Sequence, residues 1–109
     1  MNIPKFHFNV NGLRFDPTFL SSSGMRESVL KLTVEEMAQY VDGVTYERVK
    51  AGVPITITDR EIEASVKEDS WNTTSVGNLA FMAWYHPDYH VRMRAAYCIE
   101  LMRKLIAQR

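Results

Sequence analysis

The sequence predicts an α+β domain: a small antiparallel sheet with about five helices packed on one face, the last of them long. Three observations carry that expectation. An Asn11-Gly12 pair joins two short runs with apolar alternation, Ile55-Thr56-Ile57-Thr58 alternates with period two, and helix-start signals recur through the rest of the chain. With 109 residues the chain has the size of one domain, so residues 1–109 are read as a single unit.

The hairpin comes first. Asn-Gly favours a type I′ turn, because both central residues of that turn need positive φ. A two-residue loop between Phe6–Val10 and Leu13–Phe15 sets Val10 opposite Leu13 and Phe8 opposite Phe15. One face of the ribbon is then apolar and the other polar, as a half-buried sheet requires. Asp16-Pro17-Thr18 ends the second strand, and Ser21-Ser22-Ser23-Gly24 reads as loop. That serine-glycine run lacks the spacing and the lysine of a phosphate-binding loop. Val29-Leu30-Lys31-Leu32 reads as a further short strand.

Helical signals then take over. Thr33-Val34-Glu35-Glu36 forms a capping box, and Val34, Met37, Ala38 and Val41 follow with helical spacing up to a stop at Gly43. A short second helix is expected over Tyr46–Ala51, with Thr45 as its N-cap and Gly52 and Pro54 closing it. After the Ile55–Thr58 strand, Thr58-Asp59-Arg60-Glu61 opens a helix with Ile62 and Val66 inward. Thr73 or Thr74 caps the next, which runs to Tyr85 and is broken by His86-Pro87. From Pro87 the last helix reaches Gln108, with Val91, Ala95, Cys98, Met102, Leu105 and Ile106 as its buried stripe and Ile99 and Leu101 flanking it.

Composition excludes several classes. Thirteen Lys and Arg against thirteen Asp and Glu leave no net charge, which argues against capture of nucleic acid or anionic membrane by bulk charge. A single cysteine, Cys98, allows no internal disulfide and fits a reducing compartment. No charged-then-apolar leader opens the chain, and the longest apolar window, Leu79 to Tyr85, is too short for a bilayer. A cytoplasmic protein without membrane contact is expected.

No residue set demands catalysis. His86 and His90 have a metal-like spacing, but Pro87 puts His86 outside the helix that would align them. Cys98 falls on an apolar stripe, where a thiol is unreactive. Asp59, Glu61, Glu63, Glu68 and Asp69 read as a solvated acidic face. The sequence therefore predicts no enzyme, no catalytic residue, no metal site and no cofactor.

Two resemblances stand beside these readings. Thr33-Val34-Glu35-Glu36, Ala38, Gly43-Val44-Thr45, Val49 and Gly52-Val53-Pro54 before the Ile55 strand resemble the helix-turn-helix modules of small excisionase-like regulators, over Leu32 to Val66. That resemblance implies a sequence-specific DNA-binding regulator with Thr45, Tyr46, Arg48 and Lys50 on the recognition helix. Here Asp42 adds a residue to the turn. The segment Thr33 to Gly52 also carries net charge −2, opposite to what phosphate neutralisation asks for. Within Leu79 to Leu105, His86-Pro87-Asp88, Val91-Arg92 and Ala95-Ala96 look like the turn and second helix of one HEAT repeat, which implies a local helix hairpin.

Charge and aromatics point instead to association. Asp59 to Asp69 carries net −3 and His86 to Arg109 net +3, so the two either face each other or complement a partner. Arg94, at the edge of the apolar stripe, suits a rim position with its stem packed and its head on a carboxylate. Phe81, Trp84, Tyr85 and Tyr89 gather around the helix break with Arg92 one turn on, a combination found in binding hot spots. The leading expectation is a small regulatory or inhibitory protein that acts by stoichiometric association with a protein partner or with its own copies. By analogy it is of the phage or mobile-element kind. DNA binding through residues 33–52 is the alternative.

Overall fold

A computed structural model describes the chain from Ser23 to Arg109, with side chains from Arg26 onward. The expected Asn11-Gly12 hairpin lies outside the described residues. Those residues form six helices and no strand, so the predicted α+β class is corrected there to all-α. The helices are α1 (Ser23–Leu30), α2 (Val34–Met37), α3 (Gly43–Lys50), α4 (Asp59–Lys67), α5 (Thr73–Tyr85) and α6 (Tyr89–Ala107). Helix α5 is the centre, touching α1, α2, α3 and α6, while α4 packs on α6.

Ser23 and Gly24, expected in a loop, and Val29 and Leu30, expected in a strand, belong to α1. The period was hidden by a charge. Arg26, Val29 and Leu30 are spaced i, i+3, i+4 and are all buried, but only two of them are apolar. Arg26 earns its burial through four contacts. Its guanidinium donates to the carbonyls of Trp71 (2.9 Å) and Asp69 (3.2 Å), pairs with the Asp69 carboxylate and lies 4.5 Å over the Trp71 ring.

The Thr33 box forms as expected. Glu36 N–H donates to Thr33 Oγ1 at 3.2 Å, and Thr33 N–H donates to the Glu36 carboxylate at 3.0 Å. The helix it opens does not reach Gly43. After Met37 it tightens into a 3₁₀ turn, Ala38–Tyr40, and Val41 is extended. Two contacts from α5 explain the early end. Gly77 lies so close to Tyr40 that an added Cβ would fall 2.4 Å from its carbonyl carbon. The Asn78 side chain accepts from Asp42 N–H and donates to the Asp42 carboxylate, both at 3.0 Å.

So held, Asp42 caps α3 by accepting from Thr45 N–H at 2.7 Å. Thr45 is thus a capped residue rather than the cap, and Gly43 starts a helix rather than ending one. The far end of α3 follows the Schellman pattern. Val53 N–H reaches Arg48 C=O and Gly52 N–H reaches Val49 C=O, both at 3.0 Å, with Gly52 at φ +72°.

The Ile55–Thr58 alternation is real, yet it makes no sheet among the described residues. Ile57 is buried, Ile55 half-buried, and Thr56 and Thr58 exposed. A strand needs a neighbour to share its ladder. A side chain bonds this segment instead: Arg94 Nε donates to Ile57 C=O, and two residues before the segment His86 Nε2 donates to Val53 C=O, each at 2.8 Å.

Thr58 caps α4 as predicted, accepting from Glu61 N–H at 3.2 Å, and Ile62 and Val66 are buried. The box closes differently, since the Thr58 hydroxyl donates to the Glu61 carboxylate. Beyond α4, Asp69 takes φ +57° in a second Schellman pattern, with Ser70 N–H on Ser65 C=O and Asp69 N–H on Val66 C=O. Asn72, not Thr73 or Thr74, caps α5 in a reciprocal box with Ser75. Helix α6 begins at Tyr89 with Asp88 as N-cap, two residues later than the Pro87 start. Val91, Ala95, Cys98 and Met102 are buried as expected. Ile99 joins them fully, while Leu105 and Ile106 only pack against the core.

Candidate functional site

His86 and Cys98, two of the residues considered for chemistry, are taken up by the core. His86 is fully buried. Its Nδ1 accepts from Asp88 N–H at 3.0 Å, so its ring hydrogen sits on Nε2 and points at Val53 C=O. Both nitrogens are engaged, and His90 is exposed on α6. No group of three or more His, Cys, Asp or Glu side chains among the described residues is placed to hold a metal ion. Cys98 is buried, and burial pushes its thiol above the ordinary value.

The oppositely charged segments face each other within the molecule. Arg94 pairs with Asp59 across α6 and α4, and Asp59 also accepts from the Tyr97 hydroxyl at 3.0 Å. That bond and the Asp59 charge push the Tyr97 phenol above its usual value. Arg109 pairs with Asp69 at 3.0 Å and reaches Glu27 at 3.6 Å. The Arg109 and Arg26 guanidinium groups hold the Asp69 carboxyl below the usual carboxylate range, against a smaller effect of burial. Arg94 has the expected rim role.

The expected local helix hairpin is present, with α5 and α6 packed together across the corner at residues 86–88. Arg92 closes that corner, donating to the carbonyls of His86 (2.6 Å) and Pro87 (3.1 Å). Of the residues expected on a recognition helix, Thr45 is half-buried and Arg48 and Lys50 are exposed, but Tyr46 is buried with its ring 5.4 Å from that of Phe81. The strand expected after it, Ile55–Thr58, does not form among the described residues.

The aromatic residues around the corner divide into two sets. Phe81 is fully buried between Tyr46 and Tyr85, the latter 4.9 Å away and half-buried. Burial, with the Glu35 charge, pushes the Tyr85 phenol up. Trp84 is 48% exposed and Tyr89 is 59% exposed, the latter under the Arg92 guanidinium at 5.7 Å. Met93 at 53% and Tyr97 at 47% were not singled out from the sequence. Their signal was nonetheless present. Tyr89, Met93 and Tyr97 recur every four residues, on the side of α6 opposite Val91, Ala95 and Met102.

A separate open cavity of about 450 Å³ lies between α1 and the end of α6, lined by Glu27, Leu30, Lys31, Arg103, Ile106 and Ala107. Its Arg103 guanidinium is bound to the carbonyls of Leu30 and Leu32 and to Glu100. The described residues include no helix long and apolar enough to cross a membrane. No family model, curated protein or solved structure matches the chain.

Proposed function

We propose that this protein is a non-enzymatic, regulatory or inhibitory protein that works by stoichiometric association with a protein partner through the outer face of α6. One observation carries the reading. Three large side chains, Tyr89, Met93 and Tyr97, stand in register and about half exposed on a helix whose other side already closes the core. Tyrosine and methionine are enriched in interface cores, and the two tyrosines are rigid anchors with only about two side-chain torsions each to immobilise. Arg92 and Arg94 lie 5.7 and 5.0 Å from the rings of Tyr89 and Tyr97, so the row has a basic border. Those arginines are held by backbone and carboxylate partners, which orders the surface before a partner arrives.

Affinity capture from the native host, with and without nuclease, tests the reading. Tyr89→Ala is expected to leave thermal stability within the ±0.5 kcal/mol of an ordinary surface change. The same substitution weakens capture of a nuclease-resistant protein partner by about 2 kcal/mol, roughly thirtyfold. Undiminished capture by a Tyr89→Ala, Met93→Ala double variant refutes the site, and nuclease-sensitive capture refutes the protein partner.

A further inference from the structure

We propose that the open cavity between α1 and the end of α6 binds a small amphipathic anion, an apolar body with one carboxylate head, the body along Leu30, Ile106 and Ala107 and the head at Lys31. Its volume of about 450 Å³ falls within the ~300–1,000 Å³ of small-ligand sites. A stable protein interface takes about 20–30 residues a side, far more than line this cavity, so the occupant it fits is a small molecule. It lies at the opposite end of α6 from Tyr89 and is separate from the proposed binding face.

The charges on the rim decide the head group. Arg103 is already answered: its Nε donates to Leu30 C=O at 3.0 Å, Nη2 to Leu32 C=O at 2.9 Å and Nη1 to the Glu100 carboxylate at 2.6 Å. Glu27 turns to Arg109, 3.6 Å away. Lys31 is exposed and forms no ion pair among the described residues. One cation is therefore left over at the rim of a cavity whose other walls are aliphatic. Its ammonium rides on a flexible stem and can follow a bound carboxylate. Glu27, one helical turn before Lys31, repels an anion, so the head belongs at the Lys31 end.

The walls are set before a ligand arrives. Leu30 is buried against the core, and Arg103 ties the last carbonyls of α1 to α6. Toward the other end of α1, Arg26 is fastened to Trp71 and Asp69. A pre-formed site loses little affinity to ordering, which leaves the burial of each ligand methylene to show as binding.

Titration of the full chain with sodium decanoate, followed by calorimetry and by amide NMR, tests the proposal, with decyltrimethylammonium as the probe of opposite charge. Decanoate is expected to bind saturably at a single site and to shift the signals of Lys31, Arg103, Ile106 and Ala107. The cation binds about tenfold more weakly, since it meets Lys31 as a like charge. Lys31→Glu weakens decanoate binding about tenfold, and Lys31→Met, which keeps the stem and removes the charge, about threefold. Ala107→Phe fills the cavity and abolishes binding. Lys31 and Ala107 are both exposed, so these variants keep the thermal midpoint of wild type. Uptake that does not saturate, equal binding of the two probes, or a Lys31→Glu protein that binds decanoate like wild type overturns the proposal. So do decanoate shifts at Tyr89, Met93 and Tyr97 in place of the cavity. Tyr89→Ala leaves decanoate binding unchanged, so failure here and failure of the proposed face are told apart.

Discussion

Gly77 sits in the middle of α5, where helix propensity alone favours alanine by about 1 kcal/mol. The structure reverses that sign. A Cβ at this position would lie 2.4 Å from the carbonyl carbon of Tyr40 and 2.7 Å from its oxygen and Cβ. An ordinary carbon–carbon contact is about 3.5–4 Å, so the 3₁₀ turn must move away by roughly 1 Å. Backbone atoms cannot rotate aside, and the Asp42–Asn78 pair one residue along α5 ties the same segment down. Separation also loosens Met37 and Ala38, both fully buried beside it. Overpacking of this kind costs about 3 kcal/mol or somewhat more, which leaves Gly77→Ala destabilising by about 2 kcal/mol after the helical gain. For a chain of this length that is a fall of roughly 10 °C in Tm, read by circular dichroism and by urea titration. Gly43→Ala is the control, because nothing lies within 4 Å of the added methyl. A Gly77→Ala protein as stable as wild type would show that α5 and the 3₁₀ turn are not in backbone contact.

Three further outcomes are expected. Cys98 should react with a thiol reagent slowly in the native protein and rapidly in urea, and Cys98→Ser should cost about 1–3 kcal/mol by burying a hydroxyl in apolar surroundings; rapid native labelling would contradict its core position. Arg26→Ala should cost about 2–4 kcal/mol in urea unfolding, since it removes two carbonyl bonds, an ion pair and the cation over Trp71; a loss within the range of surface changes would show α1 to be loosely attached. Burial pushes the Asp42 carboxyl up, but bonds from Thr45 N–H and Asn78 outweigh it and hold the group below its ordinary 3.8. A folded value below the unfolded one means stabilisation that is fully present above the ordinary value and lost as pH falls through the folded one. Urea midpoints measured from neutral pH downward should therefore drop less steeply for Asp42→Asn than for wild type.

The candidate face was legible only in part. Trp84 and Tyr89 were marked by their place at a helix corner, and both are about half exposed. Phe81 was grouped with them, yet it closes the core, because α3 brings Tyr46 against it. Met93 and Tyr97 went unmarked: their four-residue spacing from Tyr89 identifies a face but does not say whether another element covers it.

What the sequence by itself determined are the features whose hydrogen bonds close within a few residues. The Thr33–Glu36 box, the Thr58 cap, the break at His86-Pro87 and the buried stripe of α6 from Val91 to Met102 depend on neighbours along the chain, and each stands where the residues put it. Tertiary structure decided whatever needed a partner far away in sequence. Ile55–Thr58 has the alternation of a strand, but its Ile57 carbonyl is taken by the Arg94 guanidinium and the chain just before it is held at Val53 by the His86 ring, so no sheet forms among the described residues. Asp42 became a cap because Asn78 holds it, and α1 became a helix because Arg26 found Asp69 and Trp71. Local pattern sets which conformations a segment can take at low cost, and the groups that satisfy its remaining polar and apolar surface choose among them.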